Sequence, residues 1–365
     1  MFLNCLGFNR SNHTTDTSSS HRQYPTVIQE LCHQFSLADL RKFTNNFDCR
    51  QKIGSRVYKG SLEHNGVTDC PIALKRIGKS HQEMFEFKNE IELLCQLHHP
   101  NFVSLIGFCD DEKEKFLVYE YMSNGSLHRH LHCGKLSWKT RLKICIGAAR
   151  GLHYLHAGAK RTIIHRDIRT KNILLDDNMH PKLADFGLCL KGARFMSKPK
   201  SIQVDRIIGT CGYMAMEYAM HGIVTDKCDV FSFGVVLLEV VCGGKYVNTE
   251  AETEFLGQPL EEKIDPNIKG NIAPECWQVF LDITQRCMNP VPDERPAMGE
   301  VEVELEHALS LQEQADITNT NNEYNLLSKT TFNQNMMQEL ERALSMHPED
   351  IRDWFPFLYG EKAQN

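Results

Sequence analysis

Three short motifs in a fixed order constrain this chain more than any other feature of its sequence. His165-Arg166-Asp167 is followed five residues later by Asn172, and thirteen residues after that by Asp185-Phe186-Gly187. Each motif alone arises easily by chance, but the order, the spacing and the apolar run Ile173-Leu174-Leu175 behind the asparagine do not. The combination predicts one folded site rather than two unrelated solvated loops.

The residue types in these motifs suit phosphate chemistry. Asp167 is a carboxylate that can accept a proton from an attacking hydroxyl. Asn172 and Asp185 offer the oxygen ligands that Mg²⁺ prefers, and in such sites the metal bridges the phosphates of a nucleotide. The sequence therefore predicts Asp167 as the catalytic base and Asn172 and Asp185 as metal ligands.

Composition excludes several other classes of protein. The 365 residues are 41% apolar and 24% charged, which is ordinary for a globular protein of one or two domains. A net charge of −6 argues against a dedicated nucleic-acid binder. No apolar run reaches the roughly 18 residues of a transmembrane segment. The 14 cysteines form no C-x-x-C pair, which favours free thiols in a reducing compartment.

The pattern of elements predicts an α+β fold with two lobes and a nucleotide between them. Short β patterns and one helix, from about His81 to Leu97, occupy residues 47–121 and predict a small antiparallel N-lobe. Residues 126–311 are mainly helical, and the nearly all-apolar segment from Asp229 to Val241 predicts a buried helix. Five residues of the first helix are predicted to face the core: Phe85, Phe87, Ile91, Leu94 and Cys95.

The flanking segments differ in composition. Residues 1–34 include a Ser/Thr-rich stretch and are expected to be flexible, with Cys5 as an optional site of acylation. Residues 35–46 predict a helix leading into the lobes, capped by Ser36 and Asp39. Residues 312–365 are expected to form a tail, polar and disordered over 313–331 and helical towards its apolar end.

Further motifs make the chain resemble the protein-kinase family from about Phe47 to Leu311. Ile72-Ala73-Leu74-Lys75 is similar to the strand that supplies the phosphate-binding lysine, and Glu90 stands where the family has its ion-pair partner. Tyr119-Glu120-Tyr121-Met122 resembles the hinge that contacts adenine. A solvated strand lysine, a surface helix acid and a core aromatic are the alternative interpretations of Lys75, Glu90 and Tyr119.

The C-terminal half continues the resemblance. Ala215-Met216-Glu217 stands where the family has A-P-E, Arg295 where it has the arginine that pairs with that Glu, and Asp229 where it has the acid that braces the catalytic loop. The resemblance implies ATP and Mg²⁺ as cofactors, and it implies structural roles for Glu217, Asp229 and Arg295. It implies catalytic roles for Asp167, Lys75, Glu90, Arg169, Asn172 and Asp185. It implies nucleotide contacts at Ile53, Gly54, Val57, Ala73, Lys75, Tyr119, Glu120, Met122 and Leu174.

Within the family, three segments are similar to plant receptor-like kinases of the FERONIA type: 117–127, 229–234 and 305–309. Such proteins usually carry an ectodomain and a membrane span, and we expect neither in this chain. The resemblance thus implies a receptor-like cytoplasmic kinase, in the cytoplasm or at the inner face of the plasma membrane. It implies transfer of phosphate to serine or threonine of protein substrates, with a membrane receptor kinase as a partner.

The glycine-rich loop departs from the family pattern. The pattern G-x-G-x-x-G-x-V places its valine seven residues after the first glycine, but Val57 follows Gly54 by only three. Two residues fewer on each arm shorten the hairpin by roughly 7 Å, leaving a two-residue Gly-Ser turn. Two functions therefore remain open: an active kinase that retains every base and metal residue, and a pseudokinase scaffold with weakened ATP binding.

The activation segment after Asp185-Phe186-Gly187 is basic. Over 188–208, five Lys or Arg residues against the single acid Asp205 give a net charge of +4, close to Arg166. A phosphate can neutralise such an arginine and order the loop. We expect phosphorylation at one of three residues to raise activity: Ser197, Ser201 and Thr210. A solvated basic loop without a switching role is the alternative, and Thr210 can instead bond the catalytic aspartate.

Overall fold

The computed structural model describes residues 32–64, 67–134, 136–194, 200–243 and 263–319, together with Tyr324. The chain divides into two compact units. The N-terminal unit extends to Gln96 and includes Ser104–Tyr121, while the C-terminal unit comprises Leu97–Val103 and the chain from Met122 onwards. The predicted α+β class is confirmed, because a mainly antiparallel sheet dominates the first unit and helices dominate the second.

The N-terminal unit is a five-stranded sheet in the order β1-β4-β5-β3-β2. Its strands are β1 (His33–Gln34), β2 (Val57–His64), β3 (Val67–Ile77), β4 (Leu105–Asp110) and β5 (Lys115–Glu120). Its helices are α1 (Leu37–Phe43) and α2 (His81–Leu94). The predicted cap of α1 is confirmed, because Ser36 and Asp39 form a capping box.

Side-chain alternation along β3 gives its two faces different environments. Ile72 and Leu74 join Leu40 of α1 in one apolar cluster with Phe116 and Val118 of β5. Because neighbouring residues of a strand point to opposite faces, Ala73 and Lys75 lie on the other side of the sheet. Helix α1 thus covers one face and leaves the lysine on the opposite one.

The C-terminal unit is built around one buried helix. Its helices are α3 (Leu127–Cys133), α4 (Trp138–His153), α5 (Met216–His221), α6 (Asp226–Cys242), α7 (Pro274–Cys287) and α8 (Met298–Thr318). Its short strands are β6 (Gly125–Ser126), β7 (Arg161–Ile164), β8 (Ile173–Leu175), β9 (Pro181–Leu183), β10 (Leu190–Arg194), β11 (Ile202–Gln203) and β12 (Ile223–Val224). Nearly every residue of α6 is buried, as its apolar composition predicts.

Three predictions about local structure are wrong. Phe85 is 59% exposed, because it lies about 200° around the helix from Phe87, which is buried. Residues 313–318 belong to α8 rather than to a disordered segment, since Gln312 and Asp316 form hydrogen bonds. Residues 33–34 are not flexible but pair as β1 with β4, where a Cβ on Gly107 would lie 2.3 Å from the His33 carbonyl oxygen.

Several predictions concern residues outside the described part of the chain. These are the acylation of Cys5, the phosphorylation of Ser197 and the helical end of the tail. Among the described residues, the helices are too short or too polar to span a membrane.

Candidate active site

A buried carboxylate fixes the backbone of the predicted catalytic loop, residues 165–172. Asp229 of α6 is 0% exposed and accepts hydrogen bonds from the backbone N–H of His165 at 2.7 Å and of Arg166 at 2.8 Å. His156 Nε2 lies 2.9 Å from the same carboxylate. Arg166 adopts a left-handed backbone with φ 72°, which costs about 1–3 kcal/mol in a residue with a side chain. Asp229 therefore holds a strained turn directly before Asp167.

Three neighbours orient the Asp167 carboxylate. Thr210 Oγ1 donates to Oδ1 at 2.7 Å, while Asn172 Nδ2 donates to Oδ2 at 2.8 Å. The Arg169 guanidinium lies 3.3 Å from Oδ2. The structure thus brings the predicted base, asparagine and arginine together. It also places Thr210 against the base, the alternative to phosphorylation that the sequence left open.

Asn172 and Asp185 suit the predicted cation. Asn172 Nδ2 donates both to the Asp167 carboxylate and to its carbonyl at 2.8 Å, so the amide oxygen points to the other side and can accept a cation. The backbone N–H of Ala184, next to Asp185, donates to the Asn172 carbonyl at 2.9 Å. Asp185 has φ 71°, a second strained backbone at a predicted functional residue. Carboxylate and amide oxygens fit Mg²⁺.

A cluster of aromatic rings packs against this loop. Phe186 is fully buried and meets His165 edge-on at 5.3 Å and Phe102 at 5.1 Å between ring centroids. His165 Nε2 lies 3.2 Å from the Ala184 carbonyl oxygen. The first and third sequence motifs are therefore packed against each other.

Within the N-terminal unit, Lys75 and Glu90 form an ion pair. Lys75 Nζ lies 3.4 Å from Glu90 Oε2, and Glu90 is only 1% exposed on α2. Lys75 is opposite Val57 of β2 and Leu117 of β5, in the middle of the sheet. The surface alternatives for both residues are disfavoured, because a buried acid requires such a partner.

The residues expected to contact a nucleotide fall in both units. In the N-terminal unit, Ala73 and Tyr119 are directly opposite each other on neighbouring strands, and Tyr119 is buried. The Glu120 carboxylate accepts from the Ser104 N–H at 2.8 Å. In the C-terminal unit, Met122 is buried at the start of a turn, and Leu174 is half-buried on β8.

The shortened loop closes differently from the prediction. The backbone N–H groups of Ile53 and Gly54 both donate to the Val57 carbonyl, at 2.9 and 3.2 Å. Three residues, Gly54 to Arg56, therefore lie between the bonded residues Ile53 and Val57, whereas the sequence predicts a two-residue turn. The Arg56 side chain forms an ion pair with Glu83 of α2. The Gly54 amide is thus used inside the hairpin.

Further predicted residues belong to other segments of the chain. Arg295 is buried and binds both carboxylate oxygens of Glu217, at 2.6 and 3.0 Å. This bidentate pair attaches α5 to the segment before α8. Ser201 is exposed in the activation segment and is therefore accessible to modification.

Sequence reasoning missed Glu239, a buried acid of α6. The Tyr213 hydroxyl donates to Glu239 Oε2. Burial outweighs this bond and raises the pKa of Glu239 to about 7, with His132 and Lys171 the nearby basic groups that lower it. The signal was present in the sequence, because Glu239 is the single charge in the apolar run 233–242.

We expect Glu239→Gln to flatten the dependence of stability on pH. Because the folded-state pKa of about 7 exceeds the ordinary value of 4.5, the folded state favours the protonated acid. Its contribution to stability is complete below pH 4.5 and is lost as pH rises through 7, by on the order of 3 kcal/mol. Urea denaturation of parent and variant between pH 5 and 8 measures this difference.

The glutamine keeps an acceptor for Tyr213, so the variant should fold. The substitution Glu112→Gln, at an exposed glutamate between β4 and β5, is the control and should follow the parent curve. Parallel curves for the parent and Glu239→Gln would contradict the prediction.

Comparison with known proteins agrees with this geometry. Residues 49–305 match the family described as protein tyrosine and serine/threonine kinase. The receptor-like protein kinase ANXUR2 of Arabidopsis thaliana is 46% identical over 305 residues, covering 78% of this chain and 35% of the relative. From the same organism, FERONIA is 40% identical over 333 residues (86% and 36%), and THESEUS 1 is 43% identical over 323 residues (82% and 37%).

The chain spans little more than a third of the length of these curated relatives. The match covers all three motifs from which the sequence analysis began, and the resemblance to FERONIA-type receptor-like kinases is confirmed. The chain belongs to the protein tyrosine and serine/threonine kinase family.

Proposed function

We propose that this protein is a serine/threonine kinase that transfers the γ-phosphate of ATP to hydroxyl groups of protein substrates. The arrangement of Asp167 is the observation on which the proposal depends. Its carboxylate is held from both sides by Thr210 and Asn172, so it is positioned to accept a proton from an attacking hydroxyl. The Thr210 contact supports serine and threonine as the residues that accept phosphate, because a short aliphatic alcohol already reaches Asp167 Oδ1 at 2.7 Å.

The remaining residues serve positioning and charge neutralisation, which dominate phosphoryl transfer. Lys75, held by Glu90, neutralises α- and β-phosphate charge, and Arg169 lies close enough to Asp167 to neutralise the transferred group. Asn172 and Asp185 would hold Mg²⁺, which supplies further charge neutralisation when bound. Every side chain that this chemistry requires is present.

The cellular setting is part of the proposal. Receptor-like kinases are similar over more than three quarters of this chain, so we expect a role in receptor-linked signalling with a membrane receptor kinase as partner. The cytoplasm, where ATP is available, is the expected location. Phosphorylation of Ser197, Ser201 or Thr210 as an activating step stays a prediction.

The purified protein incubated with γ-labelled ATP and Mg²⁺ tests the proposal. We expect phosphate to be incorporated by the parent on serine or threonine, and not by Asp185→Asn. Asp282→Asn, which changes an exposed carboxylate on α7, is the matched control and should behave as the parent. Equal incorporation by the parent and Asp185→Asn would contradict the proposal.

A pseudokinase scaffold is the second candidate, and the shortened loop favours it. An intact glycine-rich loop directs several backbone N–H groups at phosphates, whereas the Gly54 amide here donates to Val57. Absence of transfer by a folded parent that binds a partner protein would favour this candidate.

We expect a four-residue glycine-containing insertion after Gly54 to tighten binding of ATP at least tenfold. Several restored phosphate contacts at about 0.5–1.5 kcal/mol each account for this gain. Isothermal titration of the parent and the insertion variant with Mg-ATP measures it. The same insertion after Gly270, a turn glycine with open space around it, should leave the affinity unchanged. An unchanged Kd after insertion at Gly54 would show that the shortening is harmless.

A further inference from the structure

The Arg166 side chain donates hydrogen bonds to neutral groups of the activation segment and of α5. Its guanidinium donates to the carbonyl oxygens of Leu188 at 3.3 Å and Arg206 at 3.4 Å. Its shortest contact, 2.6 Å, is to the Tyr218 hydroxyl on α5. The guanidinium also lies 5.3 Å from the centre of the Tyr218 ring, a cation–π distance. Tyr218 is therefore the principal partner of this arginine.

The Tyr218 hydroxyl makes three hydrogen bonds at once. Besides accepting from Arg166, it accepts from the Ile208 N–H at 2.8 Å and donates to the Ile208 carbonyl at 2.6 Å. Tyr218 is 2% exposed, and burial raises the pKa of its phenol, so the hydroxyl keeps the proton that it donates. A single oxygen atom thus connects the catalytic loop, the activation segment and α5.

Ile208 lies two residues before Thr210, the residue that holds Asp167 Oδ1. Gly209 separates them with φ 148°, and a Cβ there would lie 3.0 Å from the Arg166 carbonyl oxygen. The segment therefore follows the catalytic loop closely at this point. A displacement of Ile208 would be transmitted to Thr210 and so to the predicted base.

We propose that the Tyr218 hydroxyl is a positioning group that fixes Arg166 and Ile208, and through them the Thr210–Asp167 contact. This inference rests on the proposed kinase function. It adds that the buried phenol of Tyr218 orders the activation segment. The ordering by Tyr218 does not require a phosphate on Ser201, which would order the segment further.

The test compares the parent with Tyr218→Phe, which removes one oxygen and keeps the buried ring. Because a hydrogen bond to a charged group is lost, we expect kcat to fall by about 10- to 100-fold, with the KM for ATP unchanged. Both proteins are treated with phosphatase beforehand, so that phosphorylation cannot contribute. Tyr324→Phe, which removes a phenol bonded to Asp316 on α8, is the control and should keep the parent rate.

A double-mutant cycle separates positioning from general destabilisation. If Tyr218 acts through both Arg166 and Ile208, Tyr218→Phe should lower kcat less in an Arg166→Ala background than in the parent, because only the Ile208 bonds remain to be lost. Equal kcat for the parent and Tyr218→Phe, or fully additive losses in the cycle, would overturn the inference.

A second readout does not depend on activity. Hydrogen exchange at the Ile208 amide should become faster in Tyr218→Phe, because this N–H donates to the missing oxygen. If the parent transfers no phosphate but exchange at Ile208 accelerates, the proposed function fails while the positioning role holds. Unchanged exchange at Ile208 overturns the positioning role whatever the activity.

Discussion

Replacing Asp167 with asparagine is expected to slow phosphoryl transfer by about 100- to 10,000-fold, the usual contribution of a positioned acid or base. The variant keeps the shape of the side chain and one acceptor oxygen, but it cannot take a proton from the attacking hydroxyl. Asn172 and Thr210 both donate to the parent carboxylate; in the variant Asn172 can still donate to the amide oxygen, while Thr210 has to accept from the amide nitrogen instead. The defect should therefore appear in kcat.

Initial rates with a generic protein substrate at saturating Mg-ATP measure this loss. The affinity for ATP, determined by titration, should stay close to that of the parent. Asp177→Asn is the matched control, because Asp177 is an exposed carboxylate between β8 and β9 that accepts a hydrogen bond from Asn178. A rate within a few-fold of the parent for Asp167→Asn would show that Asp167 is not the base.

The catalytic loop could be predicted because its contacts are local. Asp167 and Asn172 are five residues apart, and the short helical turn Thr170–Asn172 is enough to bring the amide to the carboxylate. The same holds for the capping box of Ser36 and Asp39. Short-range contacts such as these leave a sequence pattern that a single chain reveals.

Contacts between distant residues left no such pattern in the spacing itself, and a pair such as Glu217 and Arg295 could be predicted only from the resemblance to the family. Arg166 and Tyr218 are 52 residues apart, and a tyrosine after Ala215-Met216-Glu217 does not by itself indicate a partner. Glu239 is an intermediate case, since its charge stands out in an apolar helix but its partner Tyr213 does not. Knowledge of the fold is needed to identify either pair.

Composition gave a wrong prediction of disorder at the end of α8, where polar residues pack. The end of α8 was expected to be disordered because it is polar, but Gln312 accepts from the Ala273 N–H at 2.9 Å and Asp316 pairs with Lys139 at 2.6 Å. Such pairing allows polar side chains to lie against the rest of the unit. The error at Phe85 has another cause. With a helical period of 3.6 residues, Phe85 and Phe87 cannot lie on the same face of the helix.

Replacing Asp229 with alanine is expected to lower the free energy of unfolding by about 3–5 kcal/mol, the cost of removing one partner from a buried charged network. The substitution leaves the His165 and Arg166 N–H groups without their acceptor in a site that water does not reach. The strained turn at Arg166 also loses its support. Urea denaturation with a common m-value measures the difference.

Asp226→Ala is the control, because Asp226 lies one turn earlier on α6 and is only half-buried. It should cost less than about 1 kcal/mol, the usual value of an acid in the first turn of a helix. Asp229→Asn should fall between the two, since its single oxygen can accept from one of the two amides. An equal loss for Asp226→Ala and Asp229→Ala would mean that the catalytic loop keeps its shape without this carboxylate. The kinase activity of Asp229→Asn connects this turn to function. If its rate falls by more than the fraction of unfolded protein explains, the turn at Arg166 positions Asp167.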